Sequence, residues 1–338
     1  GSTAGSRASL SEKRSADGYP DPYAWRVTNS PALTRTWLPT AAAGFTLVCW
    51  ASAFVAIRHL GHEVTPGALT IGRLGIASIV LGVMVFRRPR TWPRGREWAL
   101  LIACGVMWFG IYNLALNEAE RRIDAGTAAM LIQVGPLLVA LLAALFLDER
   151  LTRWLVIGIA IGFSGVAIIG FASNGSGDHD LWGVVLTVLA AITYGIGVVC
   201  QKPLTRRLHP FEITFLACVI GLLTASPFTG EFVDLVQHGS TSSWLWILYL
   251  GVFPTALAFS TWAFALTHMD AGRLSITTFL VPVIAIALAA LLLGETPPAL
   301  AYVGGALCVV GVLVSRRRTR VKQPEPLAGV PADQPVTT

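Results

Sequence analysis

The sequence predicts an all-α polytopic membrane protein, ten transmembrane helices arranged as two inverted five-helix repeats. Three observations predict it. Of 338 residues, 54% are hydrophobic before the 33 glycines are counted and only 13% are charged, where soluble domains carry about 25% charged residues. Ten apolar runs approach the roughly 20 residues that a helix needs to cross about 30 Å of hydrocarbon. The second half of the chain repeats the first at a fixed offset. This composition excludes an ordinary soluble enzyme, a disordered chain and a secreted disulfide scaffold.

The runs fall at 40–60, 66–86, 98–117, 125–147 and 154–171, then at 181–200, 210–228, 244–266, 271–293 and 299–315. Each is continuously apolar without period-2 alternation, which favours helices over barrel strands. Trp37, Trp98, Trp154, Trp182, Trp244 and Trp246 lie near run ends, as an interfacial belt does. Assigning Lys and Arg to alternate sides puts 21 of the 25 on one side, Arg58, Arg121 and Arg122 on the other, and Arg73 inside a span. The positive-inside bias therefore predicts a multi-pass protein of the cytoplasmic membrane with both termini cytoplasmic and an even number of crossings. The net charge of +6 sits in short loops facing lipid headgroups, so nucleic acid is not expected as a partner. Tails 1–39 and 316–338, rich in Ser, Pro, Arg or Asp, are expected to be disordered. The five cysteines lie inside apolar runs with no metal spacing, so neither disulfides nor a metal nor any other cofactor is expected.

Residues 40–171 and 181–315 read as two copies of one unit. Ala125-Gly126 matches Ala271-Gly272, Pro136 matches Pro282, Glu149 matches Glu295, and Gly158 and Gly165 match Gly304 and Gly311, all 146 positions apart. Trp50 aligns with Tyr194 and Pro66 with Pro210 at an offset of 144. Because five crossings per unit is odd, equivalent helices point in opposite directions. That inverted architecture is the one on which many secondary transporters build alternating access.

CWASAFVAIRHL followed by TPGALTIGR, and the block AGTAAMLIQVGPLLVALLAALFLDER with its second copy AGRLSITTFLVPVIAIALAALLLGET, carry a family resemblance. They resemble the drug/metabolite transporter superfamily in its ten-helix EamA-like branch. The resemblance implies a bacterial inner-membrane exporter of small metabolites, amino acids or drugs, with a central cavity lined by both halves and by the fourth and ninth helices.

Pro136 and Pro282 fall within those two helices, where proline removes a backbone hydrogen bond and kinks the chain; a flexing point beside the solute path and a static kink are both open readings. Gln133 supplies an amide near the midplane, with Ser275 and Phe279 on the corresponding face around Pro282. An uncompensated amide in hydrocarbon is costly, so Gln133 either contacts solute or bonds across to another helix. Trp50, Trp108, Tyr112 and Tyr194 lie inside their spans, away from the headgroups, with Asn113 beside Tyr112. Such aromatic walls with a few polar groups suit an amphipathic solute, and equally suit packing. Thr255, Ser260 and Thr261 are weaker candidates, since hydroxyls satisfy themselves on the preceding turn. Arg73 is expected to face the protein interior, pairing structurally with Glu118 or Asp124 or attracting an anionic group. Glu149 and Glu295 end their helices and suit loop anchoring or gating.

The expected function is secondary transport of a small organic solute within the lipid bilayer. The chain is expected to be a monomer or weak dimer, because Gly158–Gly162 and Gly304–Gly305 suit internal packing. The alternative is a non-transporting membrane receptor or scaffold. An intramembrane enzyme is disfavoured by the lack of HExxH, GxSxG or acid–His constellations. The first span has no carboxylate, whereas the related small multidrug resistance proteins carry a mid-membrane Glu there. This weakens proton antiport and leaves facilitated export, or coupling through rim acids such as Glu118 and Glu120.

Overall fold

A computed structural model describes residues 37–60, 63–122, 131–173, 181–293, 299–315 and 317, and these residues contain helices and no strand. In the first half the helices are α1 (Trp37–Leu60), α2 (Pro66–Phe86), α3 (Arg96–Cys104), α4 (Tyr112–Ala119), α5 (Val134–Phe146) and α6 (Arg153–Ser173). In the second half they are α7 (Leu181–Leu204), α8 (Pro210–Thr224), α9 (Thr229–His238), α10 (Thr241–Leu250), α11 (Ala258–His268), α12 (Ala271–Ile276), α13 (Leu280–Leu293) and α14 (Ala299–Ser315). Among the described residues, five continuous helical stretches are long and apolar enough to cross a membrane, and a sixth is if the pair α8 and α9, bent by 56°, counts as one. Four further apolar helices among these residues are shorter than that. The chain is thus a multi-pass, all-helical membrane protein.

Two departures from the expected runs have local causes. The run 210–228 does not continue straight: a 3-10 turn at Ser226–Phe228, opened around Pro227, redirects the chain into α9. The polar Glu231, Asp234 and His238 keep α9 outside the apolar pattern, and Glu231 accepts a hydrogen bond from Gly67 N at 3.1 Å, capping the first turn of α2. The other departure is a pair of π-helical segments, Gly105–Ile111 between α3 and α4 and Gly251–Leu257 between α10 and α11. They begin 146 positions apart, the repeat offset. In the second segment Pro254 has no N–H to offer the Leu250 carbonyl, and the Thr255 hydroxyl takes that carbonyl at 2.7 Å. In the first, the Asn113 amide bonds the Phe109 and Trp108 carbonyls at 2.8 and 3.3 Å.

The contacts are reciprocal between halves. Gly105 lies so close to α8 that a Cβ would stand 2.6 Å from Ile220 and 3.1 Å from the Ala217 carbonyl. Gly251 lies against α2 in the same way, 2.7 Å from Ile76 and 3.0 Å from the Arg73 carbonyl. Ile76 and Ile220, like Arg73 and Ala217, are 144 positions apart. Helices α6 and α14 run antiparallel, with Gly158 against the Gly311 carbonyl at 2.6 Å and Gly165 against the Gly304 carbonyl at 2.5 Å, measured from an added Cβ. Each glycine thus meets the repeat equivalent of the other, the self-complementary pattern of a two-fold contact. These glycines are spent on packing inside the chain.

Candidate functional site

The largest buried cluster among the described residues has an aromatic centre and draws on both halves. Trp50 of α1 and Trp108 of the first π segment meet Phe259 and Trp262 of α11 and Tyr194 of α7. Ring centroids are 5.0 Å apart for Trp50–Trp262 and Trp108–Phe259, and 5.3 Å for Trp50–Phe259 and Trp108–Tyr194. Tyr112 joins through Tyr194 at 6.3 Å. Edge and tilted arrangements at this spacing suit the aromatic quadrupoles. Gly197 and Gly135 let α7 close on Trp108, and Tyr194 on α5, by leaving no Cβ in the way.

This cluster carries polar atoms that packing does not satisfy. The indole N–H groups of Trp50 and Trp262, the Tyr194 hydroxyl and the Ser275 hydroxyl are buried without a hydrogen-bond partner among the described residues. The Tyr194 hydroxyl faces Ser275 and Thr278 but falls outside hydrogen-bonding geometry. Two turns along the same face of α7, both amide atoms of Gln201 are in the same condition. An unpaired buried donor or acceptor costs about 1–3 kcal/mol, so these atoms gain by meeting a polar group of water or solute.

The other expected residues fall elsewhere. Gln133, 4% exposed, donates from Nε2 to the Thr278 carbonyl at 3.2 Å, the across-helix bond. Asn113 is consumed by its own π turn, as above. Phe279 packs away from the cluster, against Gly162 and beside Leu155, Val166 and Val312. Thr255 accepts a hydrogen bond from Arg73 Nε at 3.1 Å. Arg73 is 6% exposed, and among the described residues Glu120, rather than Glu118, is the acid in its electrostatic reach; Glu118 pairs with Arg121 and Arg122. Asp124 and Glu295 lie outside the described residues. Ser260 and Thr261 bond to the preceding turn, at 2.6 Å to Ala256 and 3.0 Å to Leu257, as hydroxyls in membrane helices do. Pro136 and Pro282 each occupy the third position of a helix, α5 and α13, that restarts after a local break. That break is a turn at Gln133 and a 3-10 segment at Thr277–Phe279.

Glu149 does not pair with Arg150 or Arg153. Its carboxylate accepts from Ala271 N at 2.7 Å and Gly272 N at 3.1 Å, capping α12. Beside it, Lys202 Nζ donates to the Leu266 and Met269 carbonyls at 2.6 Å each, holding the end of α11. Together they clamp the α11–α12 turn from the loop after α5 and from α7. Glu149→Ala removes both acceptors and is expected to cost about 1–2 kcal/mol, read as a lowered melting temperature in detergent. Phe259 and Trp262 were missed by sequence reasoning, although the signal that selected Trp108, an aromatic placed deep within a span, applies to them equally.

A multi-pass helical bundle whose halves pack reciprocally around a buried aromatic centre with unsatisfied polar atoms has the build of a membrane carrier. Residues 40–171 and 181–317 each match the EamA-like transporter family, and the chain belongs to that family. It is 34% identical to the probable terminal-alkyne amino-acid exporter of Streptantibioticus cattleyicolor, over 81% of this chain and 92% of the relative. It is 27% identical to the uncharacterized inner membrane transporter YedA of Escherichia coli, over 83% and 91%. It is 25% identical to the probable amino-acid metabolite efflux pump of Salmonella typhimurium, over 84% and 96%. A crystal structure at 20% identity shares the fold, with a TM-score of 0.66 over 82% of this chain and 96% of that one. The protein is a small-molecule transporter of the membrane and not a receptor.

Proposed function

We propose that the chain exports small amphipathic solutes, amino acids and their derivatives foremost, by alternating access between two inverted five-helix repeats that cross the membrane ten times with both termini cytoplasmic. The observation that carries this reading is the set of donors on Trp50, Trp262, Tyr194 and Ser275 that find no partner among the described residues, within an aromatic centre shared by both halves. Indole N–H and hydroxyl groups suit a carboxylate, and aromatic faces suit an ammonium or an apolar side chain. The names of the amino-acid exporter and efflux-pump relatives favour the same solute class. The antiparallel α6–α14 pair and the exchanged Gly105 and Gly251 contacts support the inverted arrangement, because a two-fold relation gives inward-open and outward-open states nearly equal energy. Flux is read as facilitated, or coupled through acids at the rim such as Glu120. The glycine faces, turned inward, support a monomer.

The test is counterflow in proteoliposomes with a pooled amino-acid and metabolite library. Tyr194→Phe and Trp262→Phe keep a ring and remove one polar group each. Each is expected to raise KM for the transported solute about fivefold, the loss of roughly 1 kcal/mol of hydrogen bonding. Unchanged KM in both variants would remove the aromatic centre as the site, while absence of counterflow for every library member would count against amino-acid export itself.

A further inference from the structure

The loop between α2 and α3 is pinned to the α7–α8 corner by groups that consume the neighbouring carboxylates. Arg207 donates from Nε to Glu97 Oε1 at 2.8 Å, pairs with the other Glu97 oxygen, and bonds the Trp92 carbonyl at 2.7 Å. Glu212 accepts from Thr91 N at 2.8 Å and His209 N at 3.1 Å. Arg88 and Arg90 are left with no carboxylate partner among the described residues. Instead Arg90 lies over the Phe86 ring at 4.8 Å and Arg88 over Phe211 at 5.6 Å. A stacked guanidinium has its face covered and its N–H edge free, the edge that matches two oxygens of a phosphate.

Beside these edges runs an apolar crevice between the end of α2 and the start of α8. Val85, Phe86, Trp92, Phe215 and Leu216 line it together with Arg90, Thr91 and Glu212, whose carboxylate is taken up by the Thr91 and His209 N–H groups. Phe86 and Phe215 meet edge-on at 5.8 Å. Phe86 is 56% and Trp92 53% exposed; Phe86 is the last residue of the apolar stretch Pro66–Phe86, and amphipathic rings settle at the ends of such stretches. The His209 imidazole is held below its ordinary range by burial and secondarily by Arg88, so guanidinium groups carry the positive charge here.

We infer that this crevice is a binding site for an anionic phospholipid, its phosphate held between Arg88 and Arg90 and the upper acyl chain laid along Phe86, Phe215 and Leu216. Charge selects the occupant. The two guanidinium groups of Arg88 and Arg90 outweigh one phosphate, which favours a headgroup with net negative charge and disfavours one bearing its own ammonium.

Native mass spectrometry of the purified full chain, with phosphatidylglycerol and phosphatidylcholine of identical acyl chains, tests the inference. Wild type is expected to retain phosphatidylglycerol over phosphatidylcholine by roughly tenfold. Arg88→Gln with Arg90→Gln is expected to abolish the preference, and Arg87→Gln with Arg96→Gln, exposed arginines of the same segment, to keep it. Arg88→Lys with Arg90→Lys keeps the charge and lowers the preference at least threefold, because an ammonium lacks the planar fork; it also serves if the glutamine pair fails to fold. No preference in wild type, equal loss in both glutamine pairs, or full preference in the lysine pair would each overturn the site.

Discussion

Gly158→Ala is expected to lower stability by about 3 kcal/mol, the upper part of the range for overpacking a tight contact. The added methyl would stand 2.6 Å from the Gly311 carbonyl and 2.8 Å from Ser315 N. These are backbone atoms of α14, so no side-chain rotation relieves the overlap and the two helices must separate. Gly311→Ala meets Gly162 N at 2.6 Å and the Gly158 carbonyl at 2.7 Å, the other side of the same contact. Once one methyl has forced the helices apart, the second costs less, so the double variant is expected to fall short of the sum. Gly44→Ala is the control: nothing lies within 4 Å of its added Cβ, and alanine is the better helix former by about 1 kcal/mol. Thermal unfolding in detergent is expected to place Gly158→Ala about 6–12 °C below wild type and Gly44→Ala at or slightly above it. Equal melting temperatures for Gly158→Ala and wild type would refute the backbone contact.

That contact shows where the sequence was informative. Gly158, Gly165, Gly304 and Gly311 were legible as a repeated set because duplication leaves a fixed offset. Their mutual packing follows from the offset once the two copies are placed antiparallel. Helix type was legible from continuous apolarity. The π segments were not, because a wide turn inserts one residue without disturbing an apolar run; only Pro254 marks one of them. The bend after α8 was hidden in the same way, Ser226-Pro227-Phe228 being apolar enough to extend the run. At the centre, Trp50, Trp108 and Tyr194 were found by their depth within a span. Phe279 was not separable from them, since which side of a uniformly apolar helix faces the centre depends on its neighbours. The roles of Glu149 and Lys202 required the fold, because both act on backbone groups more than 60 residues away.

Gln133 and Pro282 give the second large effect, and the reason links the halves. In an uninterrupted helix the Thr278 carbonyl accepts from the N–H of residue 282, and proline has none to give. That carbonyl accepts instead from the Leu280 N–H of the 3-10 turn and from Gln133 Nε2 at 3.2 Å. The amide in the first half therefore satisfies a backbone group that the second half's proline released, with both groups buried. Gln133→Leu leaves that carbonyl only the short-range Leu280 N–H of the 3-10 turn and is expected to cost about 1.5 kcal/mol, more than the roughly 0.6 kcal/mol average for a hydrogen bond between membrane helices. Pro282→Ala returns an N–H at position 282. In that background Gln133→Leu is expected to cost about 1 kcal/mol less, a coupling readable by a double-mutant cycle on unfolding in detergent. Purely additive losses would show that Gln133 does not answer to the proline. Should the cycle close as expected, the break at Thr277–Phe279 is held open by a side chain from the opposite repeat, so movement of one repeat against the other acts directly on the backbone next to Ser275 and Tyr194.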